Sequence, residues 1–192
     1  MNCFVKVEFV RSSRIEVNLI AFLDVNNLFH GCRHKFGGNV DYIKVHEEVL
    51  KHGDMIQGIA YGHADKSKGL PYFLSKLGYL PKWLPNYNVN VTLAMDLAEL
   101  MPSGIGAKDV VFVSNDLNLI PCVEHAIKHG ARVHTIGFRL QRLTKKLSTS
   151  FLELNESHLL VRKDNDTRTD PPIEQLVMPS GGLLTSPEQI PF

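Results

Sequence analysis

Two aspartates each follow a continuous run of apolar residues, and this repetition is the clearest sign of a chemical site in the chain. Asp24 comes directly after the run at residues 19–23, and Asp116 comes shortly after the run at residues 110–113. Such runs are typical of strands that are buried on both faces of a parallel sheet. Because the carboxyl ends of parallel strands meet at one edge of an open sheet, where ligands bind, we expect Asp24 and Asp116 to converge there.

A third aspartate, Asp96, belongs to a predicted helix. An apolar stripe that includes Leu93 and Leu97 predicts a helix that begins after an N-cap at Asn90 and runs to Met101. At roughly 100° per residue, Asp96 falls on the border of that stripe. Its side chain should therefore point along the edge of the core.

Carboxylates that lie close together repel one another and raise one another's pKa values, so a fold holds them together most readily around a cation. Ligands that are all oxygen atoms select a hard ion, Mg²⁺ or Mn²⁺. Mg²⁺ usually keeps water and completes its shell with phosphate, which suits hydrolysis of a phosphodiester by a metal-activated water. The plain alternative is that Asp24 or Asn26 only caps a helix, and the residues alone leave both interpretations open.

The elements that must position these aspartates alternate along the chain. Strands are predicted at residues 19–23, 55–61, 79–84, 110–113, 132–136 and 151–154, and the helices between them end near Gly37, Gly53, Gly78 and Gly130. This alternation predicts an α/β fold with a doubly wound, mainly parallel sheet flanked by helices.

The 192 residues are enough for one ordinary domain with extensions. We assign residues 1–17 to an N-terminal extension with a possible hairpin strand and residues 18–160 to the domain. From residue 161 the composition changes to charges, prolines and glycines, which predicts a flexible tail at 161–192, or an arm that orders on a partner.

Composition limits the classes of function. The formal net charge of +1 argues against attraction of a polyanion by the whole molecule, although a local basic groove stays possible. No apolar run approaches a membrane span and the N-terminus has no secretory h-region, so we expect a cytoplasmic protein without a membrane contact. The cysteines Cys3, Cys32 and Cys122 are odd in number and form no CxxC pair, which favours reduced thiols.

Binding of a nucleic acid needs phosphate contacts and surfaces for stacking. The candidates for phosphate contacts are Arg33, Lys35, Lys66, Lys68, Lys82, Arg139 and Arg142, the last two within a basic cluster that continues to Lys146. Trp83, Tyr87 and Tyr61 are candidates for stacking on unpaired bases. Against this, most lysines are solvated surface residues and most aromatic residues belong to the core.

Two further types of site are weighed and disfavoured. The histidine pairs His30 with His34 and His125 with His129 have helical spacing, but solvated helix faces explain them better than zinc does, because no cysteine or acid lies at ligand spacing. A phosphatase of the Asp-x-Asp type is disfavoured because Asn26 stands where the second acid would be.

Three runs of the sequence resemble the motif blocks of a known family. They are FLDVNNL at residues 22–28, VTLAMDL at residues 91–97 and VSNDLNLIP at residues 113–121. In order and separation they are similar to the three blocks of the NYN domain, in the LabA-like branch of the PIN-like ribonucleases, and the resemblance spans residues 18–154. It implies a PIN-like parallel sheet and a metal-dependent ribonuclease site.

The resemblance also implies roles for individual residues. Asp24 would be the first metal-binding aspartate, with Asn27 as its polar partner. Asp96 would be the second acid, carried on a helix. Asp116 would be the acid after the fourth strand, supported by Ser114.

The sequence departs from the family pattern at two positions. Asn118 stands where a second acid usually follows the acid of the last block, and Asn90 stands where an aspartate commonly precedes the helical acid. An amide keeps a ligand oxygen but removes a negative charge, so the affinity for a second cation should fall most. We infer a site for one well-held ion, or a site that has lost catalysis and kept binding.

Together these observations predict a cytoplasmic, Mg²⁺- or Mn²⁺-dependent endoribonuclease that acts on single-stranded or structured RNA. Its predicted catalytic residues are Asp24, Asp96, Asp116, Ser114, Asn27 and Asn118, and the first three of these would hold the metal. The alternative is a catalytically weakened NYN domain that binds RNA or a protein. The tail would then contact a partner or mediate self-association.

Overall fold

The computed structural model describes residues 17–63, 69–83, 88–103 and 106–160. The predicted N-terminal hairpin, Lys66, Lys68, Tyr87 and the predicted tail lie outside these residues, apart from Val17 at the end of the hairpin. The backbone contacts divide the chain after Leu160 into two units, and all described residues belong to the first of them.

The described residues form a single six-stranded sheet in which every neighbouring pair of strands is parallel. The strands are β1 (Asn18–Asp24), β2 (Asp54–Gly62), β3 (Tyr79–Trp83), β4 (Asp109–Val113), β5 (Arg132–Gly137) and β6 (Ser150–Glu153). Their order across the sheet is β3-β2-β1-β4-β5-β6. The predicted α/β fold with a doubly wound, parallel sheet is confirmed.

The strand order reverses between β1 and β4, because the chain first adds β2 and β3 on one side of β1 and then β4 to β6 on the other side. In open α/β sheets, ligands bind outside the carboxyl ends of the strands at this switch point. Asp24 ends β1, and Asp116 follows β4. The two aspartates therefore flank the position where a ligand is expected.

The helices that connect the strands are α1 (Val25–Phe36), α2 (Tyr42–Leu50), α3 (Leu70–Lys76), α4 (Val89–Leu100), α5 (Ile120–Lys128) and α6 (Arg142–Leu147). Short 3-10 turns cover Leu117–Leu119 and Glu156–His158. The predicted N-cap of α4 at Asn90 is wrong. Asn88 is the cap and accepts a hydrogen bond from the backbone N–H of Asn90, which lies in the first turn of the helix with its side chain available for another contact.

A layer of aromatic side chains supports the carboxyl edge of β1 and its neighbours. The Phe22 ring stacks on Phe112 at a centroid distance of 5.5 Å and on Tyr61 at 6.5 Å. Leu93 and Leu97 of α4 belong to the same buried cluster, so α4 covers this face of the sheet. Alternate residues of a strand share a face, so the side chains of Asp24 and Phe22 lie on the same face of the sheet, which is the face that α4 covers.

Two cysteine thiols lie in the described part of the chain. Cys32 and Cys122 are free and buried, and burial raises the pKa of each thiol. Reduced thiols stay a prediction, and Cys3 lies outside the described residues. Within the described ranges, no helix is long and apolar enough to span a membrane.

Candidate active site

Asp24 is both a helix cap and a buried carboxylate of the candidate site. Its Oδ1 atom accepts a hydrogen bond from the backbone N–H of Asn27 at 3.0 Å, which caps α1. Its Oδ2 atom accepts one from the Ser114 hydroxyl at 3.2 Å. Only 4% of the residue is exposed. Burial raises the pKa of Asp24, as does the nearby charge of Asp116, and together these effects outweigh the two hydrogen bonds, which lower it.

Asp116 lies next to Asp24 through a shared serine. The backbone N–H of Asp116 donates to Ser114 Oγ at 3.2 Å, and the same hydroxyl donates to Asp24. One oxygen of Asp116 accepts from the backbone N–H of Asn118 at 2.9 Å, and the other accepts from Asn90 Nδ2 at 2.7 Å. The structure thus brings together Asp24, Ser114 and Asp116. Asn118 contributes its backbone, while its own side chain is exposed.

Asp96 has a different set of partners. The Tyr61 hydroxyl donates to its Oδ2 atom at 2.7 Å, and Lys82 Nζ donates to its Oδ1 atom at 2.5 Å. Burial raises the pKa of Tyr61, and the hydrogen bond to Asp96 raises it further, so the phenol stays protonated and donates at neutral pH. The predicted position of Asp96 at the edge of the core is confirmed, since the residue is 9% exposed.

The three aspartates therefore divide into a pair and a separate member. Ser114 joins Asp24 to Asp116, whereas Asp96 is bound to side chains of β2 and β3. Within residues 17–63, 69–83, 88–103 and 106–160, no three acidic, histidine or cysteine side chains are gathered as a group that could hold a metal ion. A cation at the pair would consequently need other oxygen atoms in its shell.

Asn90 supplies one such oxygen. Its Nδ2 atom donates to Asp116, and this contact fixes the orientation of the amide, because a carboxylate can only accept. Its Oδ1 atom is buried and has no hydrogen-bond partner among the described residues. A buried acceptor without a donor is costly, and oxygen atoms from two carboxylates and an amide are ligands that suit Mg²⁺ or Mn²⁺. The residues present thus fit a hard divalent ion.

Asn115 is a central residue of the site that sequence reasoning passed over. Its backbone N–H donates to Asn27 Oδ1 at 2.8 Å, so Asn27 holds the loop after β4 in addition to its backbone contact with Asp24. Its own Oδ1 atom accepts from the backbone N–H of Arg139 at 2.8 Å. These contacts join the first turn of α1 to the loops that follow β4 and β5. The only signal in the sequence was the position of Asn115 between Ser114 and Asp116.

Two glycines leave room for the Asn115 side chain. A Cβ atom at Gly31 would lie 2.5 Å from Asn115 Nδ2, and one at Gly137 would lie 2.5 Å from Asn115 Oδ1 and 2.9 Å from the Ser114 backbone oxygen. Such distances force neighbouring atoms to move. The two glycines therefore define a socket that fixes the amide, and through it the loop that carries Asp116.

Gly137→Ala is expected to lower the free energy of unfolding by about 1–3 kcal/mol, as measured by urea denaturation. The new methyl group would meet backbone as well as side-chain atoms, and backbone moves less readily. Gly31→Ala should cost less, because it meets a side-chain atom of Asn115 and gains about 1 kcal/mol of helix propensity. If Gly137→Ala has the same free energy of unfolding as wild type, Gly137 does not confine the Asn115 side chain.

The predicted phosphate-binding residues lie at several places. Lys35 Nζ donates to the Phe138 backbone oxygen at 2.8 Å, directly beyond the carboxyl end of β5, and Arg139 is exposed next to it. Arg142 is exposed at the start of α6, and the Arg33 guanidinium lies 5.5 Å from the centre of the Phe29 ring. Lys66 and Lys68 are outside the described residues.

One stacking candidate has to be withdrawn. Tyr61 is 0% exposed, with its ring against Phe22 and its hydroxyl on Asp96. A ring in this position cannot stack on a base, because both of its faces are covered by the core. Trp83 is only partly buried at the end of β3, so it remains a candidate, whereas Tyr87 lies outside the described residues.

Comparison with known proteins gives a solved structure and a family. A crystal structure of a protein of unknown function from Vibrio parahaemolyticus is similar, with a TM-score of 0.68 and 19% sequence identity over 77% of this chain and 99% of that chain. At this identity the likeness shows the fold, which is consistent with a PIN-like fold. No curated protein matches the chain. The model of the NYN domain matches residues 18–155, so the chain belongs to the NYN domain family, within the PIN-like nuclease superfamily.

Proposed function

We propose that this protein is a metal-dependent endoribonuclease of the LabA-like branch, which hydrolyses phosphodiesters of RNA with a metal-activated water. One observation carries the proposal. In an NYN domain, Asp24 and Asp116 are joined through Ser114 at the switch point of the sheet, and neither carboxylate forms an ion pair within the described residues. Two adjacent unpaired carboxylates are stabilised by a divalent cation.

Asp24, Asp116 and the Asn90 Oδ1 atom would hold the ion, because neither carboxylate forms an ion pair with a described lysine or arginine and the Asn90 Oδ1 atom has no hydrogen-bond donor among the described residues. The ion, Mg²⁺ or Mn²⁺, would supply a nucleophilic hydroxide at neutral pH and polarise the phosphoryl oxygen. Asp96 is the third acid of the proposed site, and it forms an ion pair with Lys82.

The surrounding residues keep the carboxylates in place. The Ser114 hydroxyl orients Asp24, and the N–H groups of Asn27 and Asn118 fix one oxygen of Asp24 and of Asp116. These donors leave the carboxylates preorganised, which reduces the rearrangement needed during the reaction. The exposed side chain of Asn118 can orient water or substrate at the rim of the site.

RNA would approach from the carboxyl edge of the sheet. Lys35 Nζ and Arg139 lie at the end of β5 on this edge, where they would contact phosphate. With a net charge of +1, binding has to rely on such local contacts. We propose a cytoplasmic location, which the free thiols of Cys32 and Cys122 support.

The second candidate function is a binding module without catalysis. It is favoured by the amides Asn90 and Asn118, which stand where the family pattern has acids, and by the ion pair that already occupies Asp96. Such a module would hold RNA or a protein, and the region 161–192 would contact a partner or a second copy of the chain.

Cleavage of a labelled RNA of mixed sequence tests the proposal. Wild-type protein is expected to cleave in Mn²⁺ or Mg²⁺ and to stop when EDTA is added. Asp116→Asn, purified in the same way, should lose the activity, which also excludes a contaminating nuclease. Asp54→Asn is the matched control, because Asp54 is an exposed carboxylate at the start of β2, at the opposite edge of the sheet. It should cleave as wild type does.

The opposite result has a clear meaning. If wild type and both variants are equally inert with either metal while the RNA is still retained on a filter, the ribonuclease assignment is wrong and the binding module is the better description. Activity that survives in Asp116→Asn would instead show that the pair formed with Asp24 does not carry the reaction.

A further inference from the structure

Lys82 occupies a defined position at the carboxyl edge of the sheet. The strand register pairs Asp24 with Tyr61 and Tyr61 with Lys82, so the three residues form one row across β1, β2 and β3. Tyr61 and Lys82 both donate to the Asp96 carboxylate, because the Tyr61 hydroxyl binds one of its oxygens and Lys82 Nζ binds the other. Asp96 therefore has both oxygens bound and its charge matched by a lysine.

The charges of the site are consequently divided. Neither Asp24 nor Asp116 forms an ion pair with a described lysine or arginine, although the positive charge that His63 carries when protonated lowers the pKa of Asp24, whereas Asp96 forms an ion pair with Lys82. The three carboxylates together with Lys82 carry two net negative charges, which one divalent ion balances. A second divalent ion would have to displace the ammonium group from a carboxylate 2.5 Å away.

We propose that Lys82 is the second cation of this site: its ammonium group neutralises Asp96, leaves the binding of a single divalent ion to Asp24 and Asp116, and contacts a phosphate of the substrate. The inference rests on the proposed ribonuclease function. Within that function, the Asp96 carboxylate would bind Lys82 and would not be a ligand of the metal ion.

The ammonium group is equipped for a phosphate contact. It has three N–H donors, of which one points at Asp96 and none at another described side chain or backbone oxygen. The Lys82 side chain is 32% exposed, so its tip is accessible to a phosphate that approaches from solvent. Because the contact with Asp96 fixes the side chain on β3, little conformational entropy is lost when the phosphate binds.

Calorimetric titration with Mn²⁺ tests the assignment without any measurement of cleavage. Wild type is expected to bind one ion. The double variant Lys82→Met with Asp96→Asn removes both charges of the pair, so it should also bind one ion, with an affinity within about threefold of wild type, because the net charge near the ion is unchanged.

The Mn²⁺ affinities of the two single variants should differ from that of wild type in opposite directions. Lys82→Met frees the Asp96 carboxylate and should tighten Mn²⁺ binding by about fivefold or more, while Asp96→Asn leaves an unpaired ammonium group and should weaken it by a similar factor. Lys108→Met is the matched control, because Lys108 is an exposed lysine next to the start of β4 at the opposite edge. It should leave Mn²⁺ affinity unchanged.

RNA binding in EDTA reports on the phosphate contact. The double variant should bind single-stranded RNA more weakly than wild type, and its affinity should depend less on salt by the equivalent of about one phosphate contact. The control Lys108→Met should bind the RNA with the affinity and the salt dependence of wild type. An unchanged salt dependence in the double variant would overturn the contact between Lys82 and phosphate.

Three results of the titration would overturn the assignment of Asp96. They are two bound ions in wild type, no bound ion in wild type, and a double variant that binds Mn²⁺ as weakly as Asp96→Asn or more weakly, which would make Asp96 a metal ligand. Should Lys82→Met not fold, the double variant still decides, because it removes both charges of the Lys82–Asp96 pair and leaves neither partner unpaired. A protein that shows the expected titration but cleaves no RNA would reject the ribonuclease activity alone.

Discussion

Asp24→Asn is expected to reduce metal-dependent cleavage of RNA by at least about 100-fold while making the metal-free protein more stable. The loss of activity follows from the position of Asp24 in the proposed ion site, since removal of even an outer-shell partner of a metal costs 10–100-fold. Cleavage of labelled RNA under single-turnover conditions measures this effect. Such a variant would separate the function of the carboxylate from its role in folding.

The gain in stability follows from the burial of Asp24. The amide keeps an oxygen for the backbone N–H of Asn27, and asparagine caps helices about as well as aspartate. Its Nδ2 group can donate to Ser114 Oγ, so that hydrogen bond reverses direction and is kept. What the substitution removes is a buried negative charge, which carries an unfavourable desolvation energy.

The stability difference between wild type and Asp24→Asn should depend on pH. Burial raises the pKa of Asp24 in the folded protein, so protonation favours the fold. The resulting stability is present below the pKa of the unfolded chain and is lost as the pH rises through the higher pKa of the folded state. In EDTA, the free energy of unfolding of wild type should therefore fall relative to that of Asp24→Asn as the pH rises from acidic to neutral.

Asp41→Asn is the matched control, because Asp41 also caps a helix, α2, through its side chain. Asp41 is partly exposed and distant in sequence from the motif blocks, so this variant should keep wild-type cleavage. Cleavage retained in Asp24→Asn, or a stability in EDTA below that of wild type at pH 7, would contradict the proposed role of Asp24.

The fold could be predicted because its determinants are local. The runs at residues 19–23 and 110–113 contain only apolar side chains, and both are buried in the centre of the sheet. The positions of Asp24 and Asp116 follow from these strands, since parallel strands place their carboxyl ends at one edge. Element identity and the meeting of the two aspartates thus required no knowledge of distant contacts.

The boundary of α4 shows where local information was insufficient. Asn88 and Asn90 are both good N-caps, and nothing in the local pattern decides between them. The structure uses Asn88, which places Asn90 inside the helix and its amide against Asp116. A shift of two residues thus turns a supposed cap into a residue of the site.

The remaining contacts depend on residues that are far apart in the chain. Lys82 was predicted to contact phosphate, but its contact with Asp96 arises only because the fold brings this side chain of α4 within reach of β3. The socket around Asn115 likewise requires Gly31 and Gly137, which neither the motif blocks nor the periodicity connects. Partners of polar side chains across elements are set by tertiary packing, and a single sequence does not encode them in a legible pattern.

The second large effect is expected at the opposite edge of the sheet, where Asp109→Ala should lower the free energy of unfolding by about 3 kcal/mol. Asp109 is 1% exposed and accepts two hydrogen bonds from Arg132, at 2.7 and 2.9 Å. His134 Nε2 donates to it at 2.7 Å, and the other nitrogen of that ring forms a hydrogen bond with the Ser150 hydroxyl at 2.7 Å. The network joins β4, β5 and β6, and its loss leaves the buried Nε2–H group of His134 without an acceptor.

The pH dependence of Asp109 has the opposite sign to that of Asp24. Burial raises the pKa of Asp109, but hydrogen bonds from Arg132 and His134 outweigh it and hold the pKa below its usual value. The stability that the carboxylate contributes is thus present above the pKa of the unfolded chain and is lost as the pH falls through the lower pKa of the folded state. The cost of Asp109→Ala should accordingly shrink in acid.

Urea denaturation at pH 7 measures the effect, and a surface ion pair of the same length is its control. Lys51 Nζ lies 2.7 Å from Glu48, but 64% of the lysine side chain is exposed, so Lys51→Ala should cost less than about 1 kcal/mol. If both variants lost the same small amount, burial would not distinguish the two pairs. Because the network lies at the edge away from Asp24 and Asp116, metal-dependent cleavage by folded Asp109→Ala should stay close to that of wild type.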